Sequence, residues 1–205
     1  MPSIYSLKPR FQALLRPLVR VLARAGFTAN HVTLLACIFS VAIGAWVAAH
    51  IESRGLLLIL PGFLFVRMAM NAIDGMLARE FGQKSLLGAY LNELSDVVSD
   101  AFLYLPFAFL PPFEALWIGA VIWLAALSEM AGVLALMVGA ARRYDGPMGK
   151  SDRAFVFGAM ALWIGAGGGL YPWVAWLFPR LLALLLAATI VNRVRGGLAE
   201  AHARA

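Results

Sequence analysis

One stretch of this 205-residue sequence concentrates residues able to do chemistry. It reads Asn71-Ala-Ile-Asp74-Gly75-Met-Leu-Ala78-Arg79, then eight residues, Gly88, three residues, Asn92, three residues and Asp96. Asn71 and Asp74 stand three apart and Arg67 lies one turn before Asn71, so on a helix they share a face. Gly88, Asn92, Asp96 and Asp100 follow at intervals of four and line one stripe of a second helix. Glu93 sits about a quarter-turn off that stripe. Two oxygen-rich faces of this kind suit a hard cation such as Mg²⁺ or Mn²⁺. Gly75 and Gly88 remove side-chain bulk beside them, which lets a ligand approach the backbone. A hard cation next to arginine is a place to hold a diphosphate. The competing reading is that these polar groups only glue two helices together. Two facing stripes with interleaved glycines and an arginine weigh against it.

The helices that position these residues belong in a membrane. The chain is 62% apolar and only 14% charged, with a mean hydropathy of +0.81. A soluble domain carries about a quarter charged residues. The composition excludes disorder, a disulfide scaffold and an ordinary soluble globule, and Cys37, alone in an apolar run, reads as a small hydrophobe. A transmembrane helix needs about 20 apolar residues. Spans are expected at roughly 31–50, 55–79, 86–110, 113–141, 152–169 and 172–194. Short connections favour antiparallel neighbours. About 30 residues precede the first span, which argues against a cleaved signal peptide. Within them Phe11, Leu14, Leu15, Leu18, Val19 and Leu22 recur at helical spacing, while Arg16, Arg20 and Arg24 line another face. That pattern predicts an amphipathic helix on the membrane surface, with Pro17 opening its second half and Gly26 ending it. Asn30 is the expected N-cap of the first span. The predicted fold is an all-α integral membrane protein: a six-transmembrane helix bundle over residues 29–205 with an N-terminal amphipathic surface helix in 1–28.

Charge sets the expected orientation. Lys8, Arg10, Arg16, Arg20, Arg24, Arg79, Lys84, Arg142, Arg143, Lys150, Arg153, Arg193, Arg195 and Arg204 fall on the side shared by both termini. These are fourteen of the seventeen basic residues, so that side is predicted to be cytoplasmic. The net charge of +6 then faces anionic lipid, and no nucleic-acid partner is needed to explain it.

The motif resembles that of the CDP-alcohol phosphotransferase (CDP-alcohol phosphatidyltransferase) family, D-x2-D-G-x2-A-R-x8-G-x3-D-x3-D. Asp74, Gly75, Ala78, Arg79, Gly88 and Asp96 match with the spacing kept across 26 residues. Six spans, a surface helix and the Thr28-x-Asn30-x-x-Thr33 entry to the first span are also similar to the family. The resemblance implies transfer of a phosphatidyl group from CDP-diacylglycerol to an alcohol with release of CMP. It implies Asp74 and Asp96 as metal ligands, Asp96 also as general base, and Asp74, Gly75, Ala78, Arg79 and Gly88 as contacts to the nucleotide. It further implies a divalent cation, a homodimer and a place in phospholipid biosynthesis in a bacterial inner membrane. Two family aspartates are Asn71 and Asn92 here. Asparagine ligates through its carbonyl oxygen but brings no charge. Three sites therefore stay open: a two-metal site that recruits Glu93 or Asp100, a weaker or single-metal site, and a degenerate one.

A second basic group, Arg142-Arg143-Tyr-Asp145-Gly146-Pro147-Met-Gly149-Lys150-Ser151-Asp152-Arg153, follows the fourth span. Ser151 or Asp152 is the expected cap of the fifth span. Arg142, Lys150 and Arg153 are candidates to hold a phosphate on the acceptor, against a plain topology-setting role. Glu129, mid-span, needs a partner, and Arg67 and Arg180 are the candidates. Gly165 and Gly169 form a small-xxx-small pair. Two other functions compete with the enzyme: a catalytically silent CDP-lipid-binding relative, motivated by Asn71 and Asn92, and a small transporter. A transporter site belongs near the midplane between broken helices, whereas Asp74 lies about five residues from its span's cytoplasmic end.

Overall fold

The computed structural model describes residues 4–204, with side chains from Pro9 onward. Residues 1–3 of the expected surface helix, the Lys8 side chain and residue 205 lie outside the described residues. Among the described residues the chain is helical throughout, with no strand: α1 (Ile4–Arg24), α2 (Ala29–Ala49), α3 (Ile59–Glu80), α4 (Leu86–Tyr104), α5 (Ala115–Leu134), α6 (Lys150–Gly165) and α7 (Pro172–Arg204). Short 3₁₀ segments, Arg54–Leu58, Leu105–Phe109 and Ala135–Val138, abut α3, α4 and α5. Four stretches are long and apolar enough to cross a membrane: Ala29–Ala49, Arg54–Glu80, Ala115–Val138 and Pro172–Arg204. The other two expected spans fall on α4, which carries Glu93, Asp96 and Asp100, and on α6, which has 16 residues.

The chain divides into two compact units, Met1–Val41 with Phe63–Ser99, and Ala42–Gly62 with Asp100–Ala205. In the first, α1 packs on α3 and the start of α2. Val19, Ala29, Val32, Ile73, Met76 and Leu77 are buried together, flanked by Leu15, Leu22, Ala23, Met70 and Ala78. The apolar stripe of α1 is therefore shared: Leu15, Val19 and Leu22 serve this core, while Leu14, Leu18 and Val21 stay exposed. α1 runs unbroken through Pro9 and Pro17, so Pro17 does not open a second helix. Gly26 does end it. With φ +81°, it lets its own N–H reach the Ala23 carbonyl and the Phe27 N–H reach Leu22, a Schellman closure. Arg16 then forks onto Glu80 at the end of α3, at 3.0 and 3.1 Å.

The second unit is built on α5 against α7, with α6 packed on the Arg54–Leu58 turn. A Cβ on Gly165 would lie 2.9 Å from the Leu58 backbone nitrogen, which explains the glycine there. Its expected companion Gly169 lies in the following loop, where its carbonyl accepts the Trp163 indole N–H at 3.1 Å. Tyr104, Phe107, Phe113, Phe157 and Phe178 form an aromatic core, with Tyr104 stacked on Phe157 at 4.0 Å. Three boundaries depart from expectation, one being the end of α6 at Gly165 rather than near 169. The fourth span stops at Val138, because Gly139 takes φ +82° and closes the turn. The last helix continues ten residues past 194, to Arg204, because its polar end is held by the α5–α6 loop.

Candidate active site

In the first unit, each residue of the Thr28-x-Asn30-x-x-Thr33 entry has a distinct place. Thr28, not Asn30, caps α2: its Oγ1 accepts the His31 N–H at 3.2 Å. Asn30 sits one residue inside the helix, with its carboxamide oxygen 2.8 Å from where a Cβ on Gly88 would lie. The Ser85 hydroxyl crowds the same point at 2.9 Å while capping α4 through the Gly88 N–H. Gly88 is thus required by close approach. Thr33 reaches Asp74, Oγ1 to Oδ2 2.9 Å, both groups buried. The same hydroxyl lies 3.0 Å from the Ala29 carbonyl, so its single proton serves one acceptor at a time.

Helices α3 and α4 bring Arg67, Asn71 and Asp96 together as their stripes predict. Arg67, only 3% exposed, donates from Nη2 to the Asp96 carbonyl oxygen at 3.1 Å and to Asp96 Oδ1 at 3.3 Å. The Asn71 amide donates to the same Oδ1 at 3.4 Å. Arg79 folds back over Gly75, whose absent Cβ would lie 2.9 Å from Arg79 Nη2. A bare backbone there lets the guanidinium lie along the helix while remaining exposed. Ala78, Asn92 and Glu93 are half-buried.

The second unit holds a buried ionic cluster that the sequence showed only in fragments. Arg153 is 1% exposed and uses all five of its N–H groups. Nε and Nη2 go to Asp100 Oδ2 at 3.3 and 2.8 Å, Nη2 also to Glu129 Oε1 at 3.0 Å, and Nη1 to Ser128 Oγ and the Met148 carbonyl at 3.4 Å each. Glu129 Oε2 faces Arg193 Nη1 at 3.3 Å and Arg142 Nη2 at 3.4 Å. Its partners are therefore Arg142, Arg153 and Arg193, not the expected Arg67 or Arg180. Arg67 is engaged by Asp96. Arg180 pairs with Glu114 at 2.8 Å between the rings of Trp117 and Trp176. An anion could reach Arg153 only by displacing a carboxylate. Gly149, rather than Ser151 or Asp152, occupies the cap position of α6, and Asp152 accepts its N–H at 2.9 Å.

Outside the spans, Arg143 holds Asp145 through two bonds of 2.7 and 2.8 Å, and keeps its carboxyl below the usual carboxylate range. Glu200 is likewise held low, first by the Ala141 N–H and then by Arg143. Gly146, at φ +121°, presses against Thr189, whose Oγ1 accepts the Met148 N–H at 3.0 Å.

The donor set of the first unit suits a divalent cation. Asp74 and Asp96 supply two charges, and Asn71 and Asn92 supply neutral oxygens of the kind a hard cation takes. This fits one divalent ion in charge and chemistry. Among the described residues no three His, Cys, Asp or Glu side chains converge as a metal group, and Asp100 is engaged by Arg153.

Thr33, Arg193, Ser128 and Thr189 are parts of these sites that spacing alone did not assign. Only Thr33 left a signal, as the last residue of the entry motif.

Comparison with known proteins bears on the fold and the family. The inner membrane protein YnbA of Escherichia coli (strain K12) is 45% identical over 196 residues, covering 94% of this chain and 95% of YnbA. An uncharacterised Aquifex aeolicus (strain VF5) protein is 36% identical over 102 residues, 49% of this chain and 47% of that one. The fold matches Mycobacterium tuberculosis phosphatidylinositol phosphate synthase with CDP-DAG bound, with a TM-score of 0.73 at 22% identity over 88% of this chain and 92% of that one. The same synthase in complex with manganese and citrate also gives 0.73 at 22% identity, covering 89% of this chain and 88% of that one. Residues 27–191 match the family described as CDP-alcohol phosphatidyltransferase, and with the α3–α4 motif in place the chain belongs to that family of membrane transferases.

Proposed function

We propose that this protein transfers a phosphatidyl group from CDP-diacylglycerol to an alcohol, releasing CMP at the cytoplasmic face of a bacterial inner membrane. The observation that carries the reading is the convergence of Arg67 and Asn71 on Asp96 within the family's motif. Asp74 and Asp96, with the carbonyls of Asn71 and Asn92, would hold one divalent cation, Mg²⁺ or Mn²⁺. When bound, that ion neutralises diphosphate charge and stabilises the departing CMP. Arg79 over Gly75 adds a guanidinium for the phosphates, and Ala78 adds little bulk for the nucleotide to pass; Gly88 serves the site through the close approach of Asn30 and Ser85. Arg67 fixes the orientation of Asp96 through its bonds to the Asp96 carbonyl oxygen and Oδ1. Asp96 takes the proton of the acceptor hydroxyl as that oxygen attacks the β-phosphorus. The new P–O bond forms as the bond to CMP breaks, and CMP leaves with the electron pair.

The acceptor side falls to the basic segment, with Arg142 and Lys150 as the reachable groups and Arg153 at its fixed centre. A homodimer, as the resemblance implies, is part of the same reading.

The test is CMP release by purified protein in liposomes given CDP-diacylglycerol, Mg²⁺ or Mn²⁺ and a panel of alcohols. Metal-dependent CMP release with at least one acceptor supports the reading. Tight binding of CDP-diacylglycerol with no CMP from any acceptor sinks it and favours a silent lipid-binding protein.

A further inference from the structure

The α5–α6 loop, residues 139–149, is strapped to the end of α7. That end, residues 192–204, lies past the last residue matched to the family. Glu200 sets one carboxylate oxygen on the Ala141 N–H at 3.2 Å and the other on Arg143 Nη1 at 2.8 Å. Arg204 donates to the Gly139 carbonyl at 2.9 Å and also contacts Glu200. Gly196 makes the approach possible, since a Cβ there would lie 2.8 Å from Arg143 Nη2.

The consequence falls on the residue between the two that Glu200 holds. Ala141, through its N–H, and Arg143, through its guanidinium, are both pinned to α7, so the chain is held on either side of residue 142. Arg142 there stands 4.5 Å over the Tyr144 ring, donates to the Tyr144 hydroxyl at 2.6 Å, and reaches Glu129 at 3.4 Å. It is the most accessible arginine on Glu129, 22% exposed against 1% for Arg153 and 2% for Arg193.

We propose that Glu200 is a positioning residue for the acceptor: by pinning Ala141 and Arg143 it aims Arg142 at the Glu129 cluster. This rests on the reading that the basic segment handles the acceptor. Glu200 itself touches no substrate. Its loss leaves the α3–α4 site intact and loosens one arginine, so the effect belongs in the acceptor KM.

The experiment measures CMP release by the full chain in liposomes, varying acceptor and CDP-diacylglycerol separately. Glu200→Ala should raise the acceptor KM about tenfold, the scale of one charged hydrogen bond, with kcat and the CDP-diacylglycerol KM unchanged. Glu200→Gln should raise it less, because the carboxamide oxygen still accepts the Ala141 N–H; this variant also serves if the alanine form folds poorly. Arg142→Ala should raise the same KM, and the double variant should be no worse than Arg142→Ala alone. If Arg142→Ala changes the acceptor KM and neither Glu200 variant does, the positioning role is overturned. A lowered Tm with both KM values unchanged overturns it equally. If Arg142→Ala leaves the acceptor KM unaltered, the acceptor assignment fails and this proposal falls with it.

Discussion

At the scale of single residues, Asp96 is where the chemistry is most exposed to test. Arg67 and Asn71 both donate to its Oδ1, so its orientation is set by neighbours one helix away. Asp96→Asn keeps the shape and the hydrogen-bonding frame but removes the proposed base and one proposed ionic ligand. Turnover should fall by a factor of about 10² to 10⁴, the range of general-base catalysis. Circular dichroism and detergent-solution elution should match the parent; residual activity above a tenth would show that another group takes the proton. Asp74, Gly75, Arg79, Gly88 and Asp96 were legible because their spacing places them on helix faces. Thr33 on Asp74 and Arg193 on Glu129 were not, because each contact joins helices distant in sequence. Glu129 shows the limit plainly. A buried carboxylate announces that it needs a cation, but which cation depends on how helices are packed.

At the scale of elements, α7 and the α5–α6 loop behave as one clamp. Asp145 and Glu200 are both held below ordinary carboxylate values in the folded chain. A lowered folded-state value means stability fully present above the unfolded value, near pH ~4, and lost as pH falls through the folded value. Cleavage of the loop by an acid-active protease should therefore be slow at pH 5 and rise steeply below pH ~4. In Glu200→Gln the protection above pH ~4 should be weaker, with a shallower rise on acidification. Equal cleavage rates for parent and variant across this range would show that the ion pairs do not hold the loop. The length of α7 was misjudged from hydropathy because its last turns are polar, and a polar helix end carries no apolar signal. Its partners, Ala141 and Arg143, are what extend it. The partners of the apolar stripe of α1 are hidden from the sequence for a related reason. An apolar stripe shows that a face is buried, not whether lipid or α3 buries it.

At the scale of the whole molecule, charge rather than packing sets the orientation. Fourteen basic residues on the side of the termini predict that this side is cytoplasmic. In a Cys37→Ser background, Lys84→Cys should resist a membrane-impermeant thiol reagent in intact spheroplasts and react after lysis. Arg54→Cys should react in both. The reverse pattern would invert the topology and place the Asp74–Asp96 site on the wrong side for a cytoplasmic CDP-lipid.

Composition and spacing alone were enough for a membrane helix protein, the order of its apolar segments, and a two-helix motif of oxygen-bearing residues, whose resemblance to a known motif pointed to the family. These are properties of short-range periodicity: a helix face is determined by residues three and four apart, and hydropathy by about twenty in a row. Tertiary structure alone decided that Arg153 spends every donor on Asp100, Glu129, Ser128 and Met148. It alone showed Arg142 turned toward Glu129 between two residues held by Glu200. Such contacts join residues tens of positions apart. Their charges are cheap to read in a sequence, but their pairing is set by which helices lie side by side, where an unpaired buried charge is not tolerated.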